Sequence, residues 1–152
     1  MLTAQPEAFA PFLEEVKPLL PEHYSELALN QDRVPLSPQY DEYLHRDSLG
    51  MVMVVTVRDA GQLVGYFVGM IAPGLHYSTC LTLQLDIFWI HPDHRGQRGG
   101  VLLFKAVEKE AKRRGVQRMF VGSKTHLDAS FLFEKLGYTK VETVYSVMLE
   151  DC

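Results

Sequence analysis

The stretch that decides the fold is LQLDIFWIHPDHRGQRGGVLLFKAVEKEAKRR, residues 83–114. Its start belongs to an apolar and β-branched run that predicts a strand over Thr79–Ile90, ended by Pro92. A glycine-rich loop follows, and from Gly99 to Arg114 apolar side chains recur at helical spacing. Gly115 then stands where a left-handed C-terminal cap belongs. The order strand, loop and helix predicts an α/β sandwich.

The flanking segments extend this pattern in both directions. Strands are predicted at Met51–Arg58 and Gln62–Ile71, joined by a hairpin turn at Asp59-Ala60-Gly61. Prolines divide the region before them into helices near 7–19 and from about Pro21 to Leu29, and a loop or short helix follows over 30–49. After the central helix come a strand at Val116–Val121, a helix at Asp128–Leu136 closed by Gly137, and one or two strands in 138–149. These elements predict a mixed sheet with helices on both faces, in a single domain spanning residues 1–152.

Composition and charge exclude several function classes. The 152 residues carry a net charge of −4, which argues against a general nucleic-acid binder. No apolar run is long enough to cross a bilayer, no secretory signal is visible, and Cys80 and Cys152 form no redox spacing. We therefore expect a cytoplasmic protein that binds neither nucleic acid nor membrane, as a monomer or a homodimer.

The charge is unevenly distributed along the chain. Residues 1–50 hold nine acidic and three basic side chains, whereas residues 91–118 hold eight basic and three acidic ones. Two solvated helical faces would explain this pattern. A sharper hypothesis places an anionic ligand at the basic end and a cationic one at the acidic end, where Glu26 and Asp32 could attract it.

The loop HPDHRGQRGG, residues 91–100, allows three interpretations. His91 and His94 are too few for a metal site, because zinc needs three or four ligands. No aromatic stacking platform accompanies the arginines, so nucleic acid is not expected either. A phosphate cradle fits better, since the amides and dipole of a helix start favour an anion and glycines let the backbone approach it. The alternative is a plain helix cap with exposed arginines.

Two motifs resemble a known family. Residues 90–103, IHPDHRGQRGGVLL, resemble the acetyl-CoA-binding motif of the GNAT superfamily of N-acetyltransferases, apolar-x-P-x-x-[R/Q]-x-x-G-x-[G/A]. Residues 129–138, ASFLFEKLGY, resemble the family segment A-x-x-[F/L]-Y-E-K-x-G-F. Residues 19–26, 75–77 and 86–88 further resemble a subgroup often encoded by bacteriophages. The resemblance covers residues 51–149 and implies a GNAT-like fold with a mostly antiparallel sheet of roughly six or seven strands and about four helices.

The resemblance also implies an activity. Such enzymes transfer the acetyl group of acetyl-CoA to a primary amine that attacks the thioester directly, and they need no metal. The competing hypothesis is a non-catalytic acyl-CoA-binding or interaction protein on the same fold. The residues expected to hold acetyl-CoA, largely through the backbone, are Phe88, Trp89, Ile90, Arg95, Gly96, Gln97, Arg98, Gly99, Gly100, Val101 and Phe133.

Three positions depart from the family pattern. Arg98 stands where glycine is usual, and it would cost about 1–2 kcal/mol if that position needs a positive φ. Phe133 stands where a tyrosine often protonates the departing thiolate, and phenylalanine has no proton to give. His126 replaces a frequent asparagine. Arg98 and Phe133 are what keep the non-catalytic hypothesis open.

Asp86 is the predicted base or amine anchor. Alternation along the strand puts it on one face with Gln84, Phe88 and Ile90, and a carboxylate among apolar side chains accepts protons more readily near neutral pH. His126 is a second candidate base or acid, with a backbone-bonding histidine as the plainer interpretation.

Tyr145, in the final strand, is a candidate acid with a buried aromatic role as the equal alternative. His76 and Tyr77 are candidate acceptor-site residues in a loop. The acceptor itself stays open between small-molecule and protein amines: a protein lysine or N-terminus, a polyamine, an aminoglycoside or a modified nucleobase.

Overall fold

The structure is a computed structural model that describes residues 1–96 and 98–152. Gln97, one of the predicted acetyl-CoA contacts, lies outside the described residues. The strands are β1 (Leu2–Glu7), β2 (Val52–Asp59), β3 (Gln62–Gly74), β4 (Tyr77–Ile90) and β5 (Arg118–Phe120). The α-helices are α1 (Phe9–Val16), α2 (Leu20–Leu27), α3 (Tyr40–Ser48), α4 (Gly99–Arg113) and α5 (Ser130–Lys135), with short 3-10 turns at Lys17–Leu19 and Pro92–His94.

The strands form one sheet in the order β1-β2-β3-β4-β5. The first four strands are antiparallel to their neighbours, whereas β5 runs parallel to β4. That parallel pairing covers only Thr82–Gln84 against Arg118–Phe120. Within the described residues, β4 therefore continues from 85 to 90 without main-chain pairing on its β5 side, and the two strands part at this point.

A β-bulge interrupts β4 at Asp86. Val68 of β3 lies opposite Ile87, and the next residue, Gly69, lies opposite Leu85, so Asp86 has no partner in the register. Such a bulge places two consecutive residues against one and turns the following side chains to the opposite face. Simple alternation, which grouped Asp86 with Phe88 and Ile90, is therefore wrong: those two side chains pack on the α4 side.

The sheet has an apolar core on each face. On the α4 side, Leu103, Phe104, Val107 and Ala111 pack against strand residues such as Phe67; helical spacing predicts Val107 and Ala111 on this face together with Leu103 or Phe104, and the structure buries both of the latter. On the other face, α1 and α2 bury Phe12 and Leu27, among others, against Val68 and Trp89. The mixed α/β fold class is confirmed.

Two segments differ from the expected sheet. LTAQPE, residues 2–7, carries no strand pattern and no strand was expected there, yet it pairs with residues 54–59 of β2 as the edge strand β1. Residues 138–149 form no strand, so the sheet has five strands among the described residues instead of six or seven. The main chain of Cys152 bonds to Arg33, which also pairs with Asp151, so this segment ends at the loop between α2 and α3.

Helix lengths also bear on membranes. Among the helices of the described residues, none is both long and apolar enough to cross a bilayer.

Candidate active site

The glycine-rich loop joins β4 to α4 as predicted. The first main-chain bond of α4 runs from the Leu102 amide to the Arg98 carbonyl at 2.8 Å. The amides of 99–101 therefore have no acceptor within the helix and form the positive end of its dipole. Because β4 leads straight into this loop, these amides lie at the end of the strand whose outer edge is free.

Two of the glycines lie in close packing. A Cβ on Gly99 would lie 2.7 Å from the main-chain oxygen of His94. One on Gly100 would lie 2.8 Å from Cδ2 of Leu132. These positions let the start of α4 pack directly on the preceding turn and on α5, and both glycines are buried.

Arg98 carries no backbone strain. Its φ is −94° and its ψ is −13°, and the positive φ of +40° in this loop belongs to Gly96. The strain energy that arginine would cost at a positive φ therefore does not arise at Arg98, because Gly96 adopts the left-handed conformation instead. The Arg98 side chain is exposed beside the first turn of α4, where it can reach an anion.

Arg95 is held by the protein itself. Its Nε donates to the Ile90 carbonyl at 2.7 Å, and its two terminal nitrogens donate to the Glu26 carboxylate, one of them at 2.8 Å. Trp89 Nε1 donates to the same carboxylate at 2.9 Å. The hydrogen bonds from Arg95 hold the pKa of Glu26 below its usual range. This cluster ties α2 to the loop, so the Glu26 carboxylate is not free to attract an acceptor as predicted.

Asp86 lies at a cleft on the other face of the sheet. The cleft has a volume of about 350 Å³, and α1, α2, α3, the loop before α3 and strands β3 and β4 all contribute to it. The Tyr43 hydroxyl donates to Asp86 Oδ2 at 2.5 Å, and burial together with this bond raises the pKa of Tyr43. Asp86 is itself exposed, so its carboxylate faces the cleft and solvent and is not buried among apolar side chains.

A buried aromatic cluster behind this cleft was missed by sequence reasoning. His23 is 1% exposed, and its Nδ1 lies 2.7 Å from the hydroxyl of Tyr66, which lines the cleft. Its ring stacks on Trp89 with 3.8 Å between centroids. Burial lowers the pKa of His23 and raises that of Tyr66. The available signal was helical spacing, since His23 and the buried Leu27 are four residues apart on α2.

Three predicted acceptor residues lie elsewhere. His76 and Tyr77 are exposed at the β3–β4 hairpin, and Tyr77 is nine residues from Asp86 along β4, about 30 Å at strand spacing. The Arg118 guanidinium lies over the Tyr77 ring, 5.1 Å from its centroid. Asp32 is exposed in a turn and does not line the cleft. The structure therefore does not bring these residues together with Asp86.

The remaining predicted residues have other surroundings. His126 Nε2 contacts the Leu27 carbonyl at 3.1 Å, which is the backbone bond expected of its plainer interpretation. Tyr145 is 90% exposed, belongs to no strand and does not line the cleft, so neither a buried aromatic role nor a place in a final strand is observed. Phe133 is buried, with its ring edge-on to Phe88 and Phe104, and is part of the core. Of the three predicted catalytic residues, Asp86 alone lies at the cleft.

Comparison with known proteins assigns the family. The acetyltransferase (GNAT) family model matches residues 13–138, which is most of the chain. The chain belongs to the GNAT family. It is therefore an acetyltransferase that takes its acyl group from acetyl-CoA, and the family resemblance of the two sequence motifs is confirmed. No group of three or more potential metal-ligating side chains occurs in the part of the chain that the structure describes.

Solved structures show the same fold. A ribosomal-protein-alanine N-acetyltransferase from Brucella melitensis biovar Abortus 2308 has a TM-score of 0.75 and 18% identity over 99% of both chains. An aminoglycoside acetyltransferase from an uncultured soil metagenomic sample has a TM-score of 0.75 and 14% identity over 99% of both chains. A predicted acetyltransferase from Clostridium acetobutylicum, solved with acetyl-CoA, has a TM-score of 0.66 and 12% identity over 98% of this chain and 97% of that one. No curated protein sequence matches the chain.

Proposed function

We propose that this GNAT protein transfers the acetyl group of acetyl-CoA to a primary amine that binds beside Asp86 and attacks the thioester directly. The observation that carries the proposal is the bulge in β4. It lies at Asp86, whose side chain lines the cleft, while the same strand leads to the start of α4, whose first-turn amides have no acceptor within the helix. One strand thus connects an amine-attracting group to an anion-binding helix start.

The donor site is the loop and the free edge of β4. The pyrophosphate of acetyl-CoA would accept hydrogen bonds from the first-turn amides of α4, with Arg98 adding charge. The pantetheine arm would run along β4 from 85 to 90, where main-chain groups have no partner in β5. A main-chain amide on this edge would stabilise the oxyanion of the tetrahedral intermediate.

Asp86 has two tasks in this mechanism. It attracts the ammonium form of the acceptor, and it takes up the proton that the nitrogen must lose, directly or through water, because an alkylamine has a pKa near 10.4. The Tyr43 hydroxyl positions the carboxylate by donating to one of its oxygens. The free amine then forms the N–C bond, the C–S bond breaks, and CoA departs as a thiolate with a pKa near 8.5 that needs no proton from Phe133.

The test is CoA release with a panel of primary amines, in wild type and in Asp86→Asn. The variant should lose about 100-fold or more in kcat/KM, because a positioned base contributes that much, and should still gain thermal stability from acetyl-CoA. Asp32→Asn is the matched control, since Asp32 is an exposed aspartate outside the cleft, and it should react within about twofold of wild type.

Two results would contradict the proposal. One is the absence of CoA release with every amine when acetyl-CoA binds normally. The other is an Asp86→Asn variant that reacts as fast as wild type, which would place the base elsewhere.

A further inference from the structure

The cleft beside Asp86, the proposed acceptor site, is lined mostly by apolar side chains. Half of the sixteen residues that line it are aromatic or proline: Phe9, Phe12, Tyr24, Tyr40, Tyr43, Tyr66, Pro35 and Pro38. Most of the others are aliphatic, among them Leu13, Leu36 and Val68. A wall of this composition binds an apolar body, above all a flat ring.

Three of the four tyrosine hydroxyls at the cleft already have hydrogen-bond partners inside the protein. The Tyr43 hydroxyl donates to Asp86, the Tyr66 hydroxyl bonds to His23, and the Tyr24 hydroxyl donates to the Val34 carbonyl. A sugar-like acceptor needs many hydrogen-bond partners, and each one left unmade in a dry site is costly. The cleft is therefore poorly suited to a hydroxyl-rich substrate.

The charges at the cleft fit one ammonium group. Asp86 is the sole ionic side chain among the lining residues that the structure describes. Outside the lining, Lys17 Nζ lies over the Tyr40 ring, 4.7 Å from its centroid, and is paired with the Glu14 carboxylate at 3.1 Å, so it adds no uncompensated charge to the cleft. A second or third ammonium on the acceptor would find no further carboxylate among the lining residues that the structure describes and would meet an apolar wall, which disfavours polyamines and aminoglycosides.

The size of the cleft points the same way. Its volume of about 350 Å³ is at the small end for ligand pockets. A single ring on a short chain fits such a volume, with its ammonium at Asp86 and its ring among the tyrosines and prolines.

From these four observations we infer that the acceptor is a small arylalkylamine: one primary amine on a short chain that carries a single aromatic ring. This inference rests on the proposed function, because it names the acceptor of the same reaction. The ammonium pairs with Asp86, while tyrosine ring faces and prolines surround the aryl group.

The test compares 2-phenylethylamine with ethylamine, spermidine and kanamycin as acceptors for the full chain. Burial of the ring should give 2-phenylethylamine a kcat/KM about 10- to 100-fold above that of ethylamine. Spermidine and kanamycin should react no better than ethylamine. A kcat/KM for spermidine or kanamycin above that of 2-phenylethylamine would overturn the inference and leave the proposed function standing.

A charge variant tests the single-cation argument. Leu36 lines the cleft and is 39% exposed, so Leu36→Glu adds a second carboxylate there without removing a buried side chain. It should raise the ratio of spermidine to 2-phenylethylamine turnover about fivefold. Leu29→Glu is the control, since Leu29 is exposed and lies outside the lining, and it should leave the ratio unchanged. An unchanged ratio in Leu36→Glu would refute the charge argument.

Binding separates the two possible failures. If no amine releases CoA, the proposed function is wrong, and the acceptor class is then decided by thermal shift of the CoA-loaded protein. In that assay 2-phenylethylamine should raise the Tm more than equal concentrations of ethylamine or spermidine, because only its ring is buried, and the shifts of all three amines should shrink in Asp86→Asn. Equal shifts for all three amines would overturn the inference.

Discussion

Substitution of Gly99 by alanine should damage acetyl-CoA binding more than the same change at other glycines. The added Cβ would lie 2.7 Å from the His94 carbonyl oxygen, which belongs to the main chain and cannot rotate away. Either the 92–94 turn or the start of α4 must move. Such overpacking costs about 1–3 kcal/mol, and alanine returns about 1 kcal/mol through helix propensity at most.

Two further glycines make a graded control series. At Gly100 the new Cβ would meet the side-chain tip of Leu132 at 2.8 Å, and that tip can change rotamer, so the cost should be smaller. At Gly122 a Cβ meets nothing within 4 Å and the φ is not positive, so alanine should be neutral. The predicted order of damage is Gly99→Ala, then Gly100→Ala, then Gly122→Ala.

Calorimetric titration with acetyl-CoA measures the effect directly. The Kd should rise about 10- to 100-fold in Gly99→Ala, because the displaced segment carries the first-turn amides. The melting temperature without ligand should also fall. If Gly99→Ala binds acetyl-CoA within twofold of wild type, the start of α4 is not the phosphate site and the reasoning fails.

Three further predictions concern single side chains. Arg98→Gly should weaken acetyl-CoA binding about 3- to 10-fold, and by more at low salt, because it removes a positive charge near the phosphates. Since φ at this position is already negative, glycine relieves no backbone strain, and tighter binding would contradict the prediction. His126→Ala should keep kcat within twofold while lowering stability by about 1 kcal/mol, because its ring bonds the Leu27 carbonyl; a large loss of kcat with a normal Tm would restore it as a catalyst. Hydrogen bonds from Arg58 lower the pKa of Glu7 from 4.5 to about 2, so the stabilisation is complete above about pH 4.5 and is lost as the pH falls toward 2. Denaturant titrations should show that the free energy of unfolding of Glu7→Gln falls less than that of wild type between about pH 4.5 and 2. If both proteins lose stability equally over this range, the Glu7–Arg58 pair is not the cause of the acid destabilisation.

Much of the fold was readable from local pattern. The hairpin turn adopts positive φ at Ala60 and Gly61, as a tight two-residue turn requires, and Gly115 has the φ of +84° that its cap position predicted. The buried face of α4 follows from helical spacing alone. These features depend on a few consecutive residues, and neighbouring backbone geometry is enough to specify them.

The site was only half predictable. Asp86 was identified because a charged residue in an apolar strand stands out in a sequence. His23 and the tyrosines of the cleft were not identified as site residues, because each looks like an ordinary core residue until the segment that it faces is known. Glu26 and Arg95 were assigned separate roles for the same reason: nothing local indicates that residues 69 positions apart neutralise each other.

The sequence therefore establishes the strand, loop and helix of residues 83–114 and the family to which they belong, since each depends on neighbouring residues. The acceptor site depends on the folded chain. A bulge in the β3–β4 register decides which face Asp86 takes, and helices from the first third of the chain supply most of the wall around it. Strand register and long-range packing depend on how many side chains that are distant in the sequence pack together, so they cannot be predicted from a short stretch of residues.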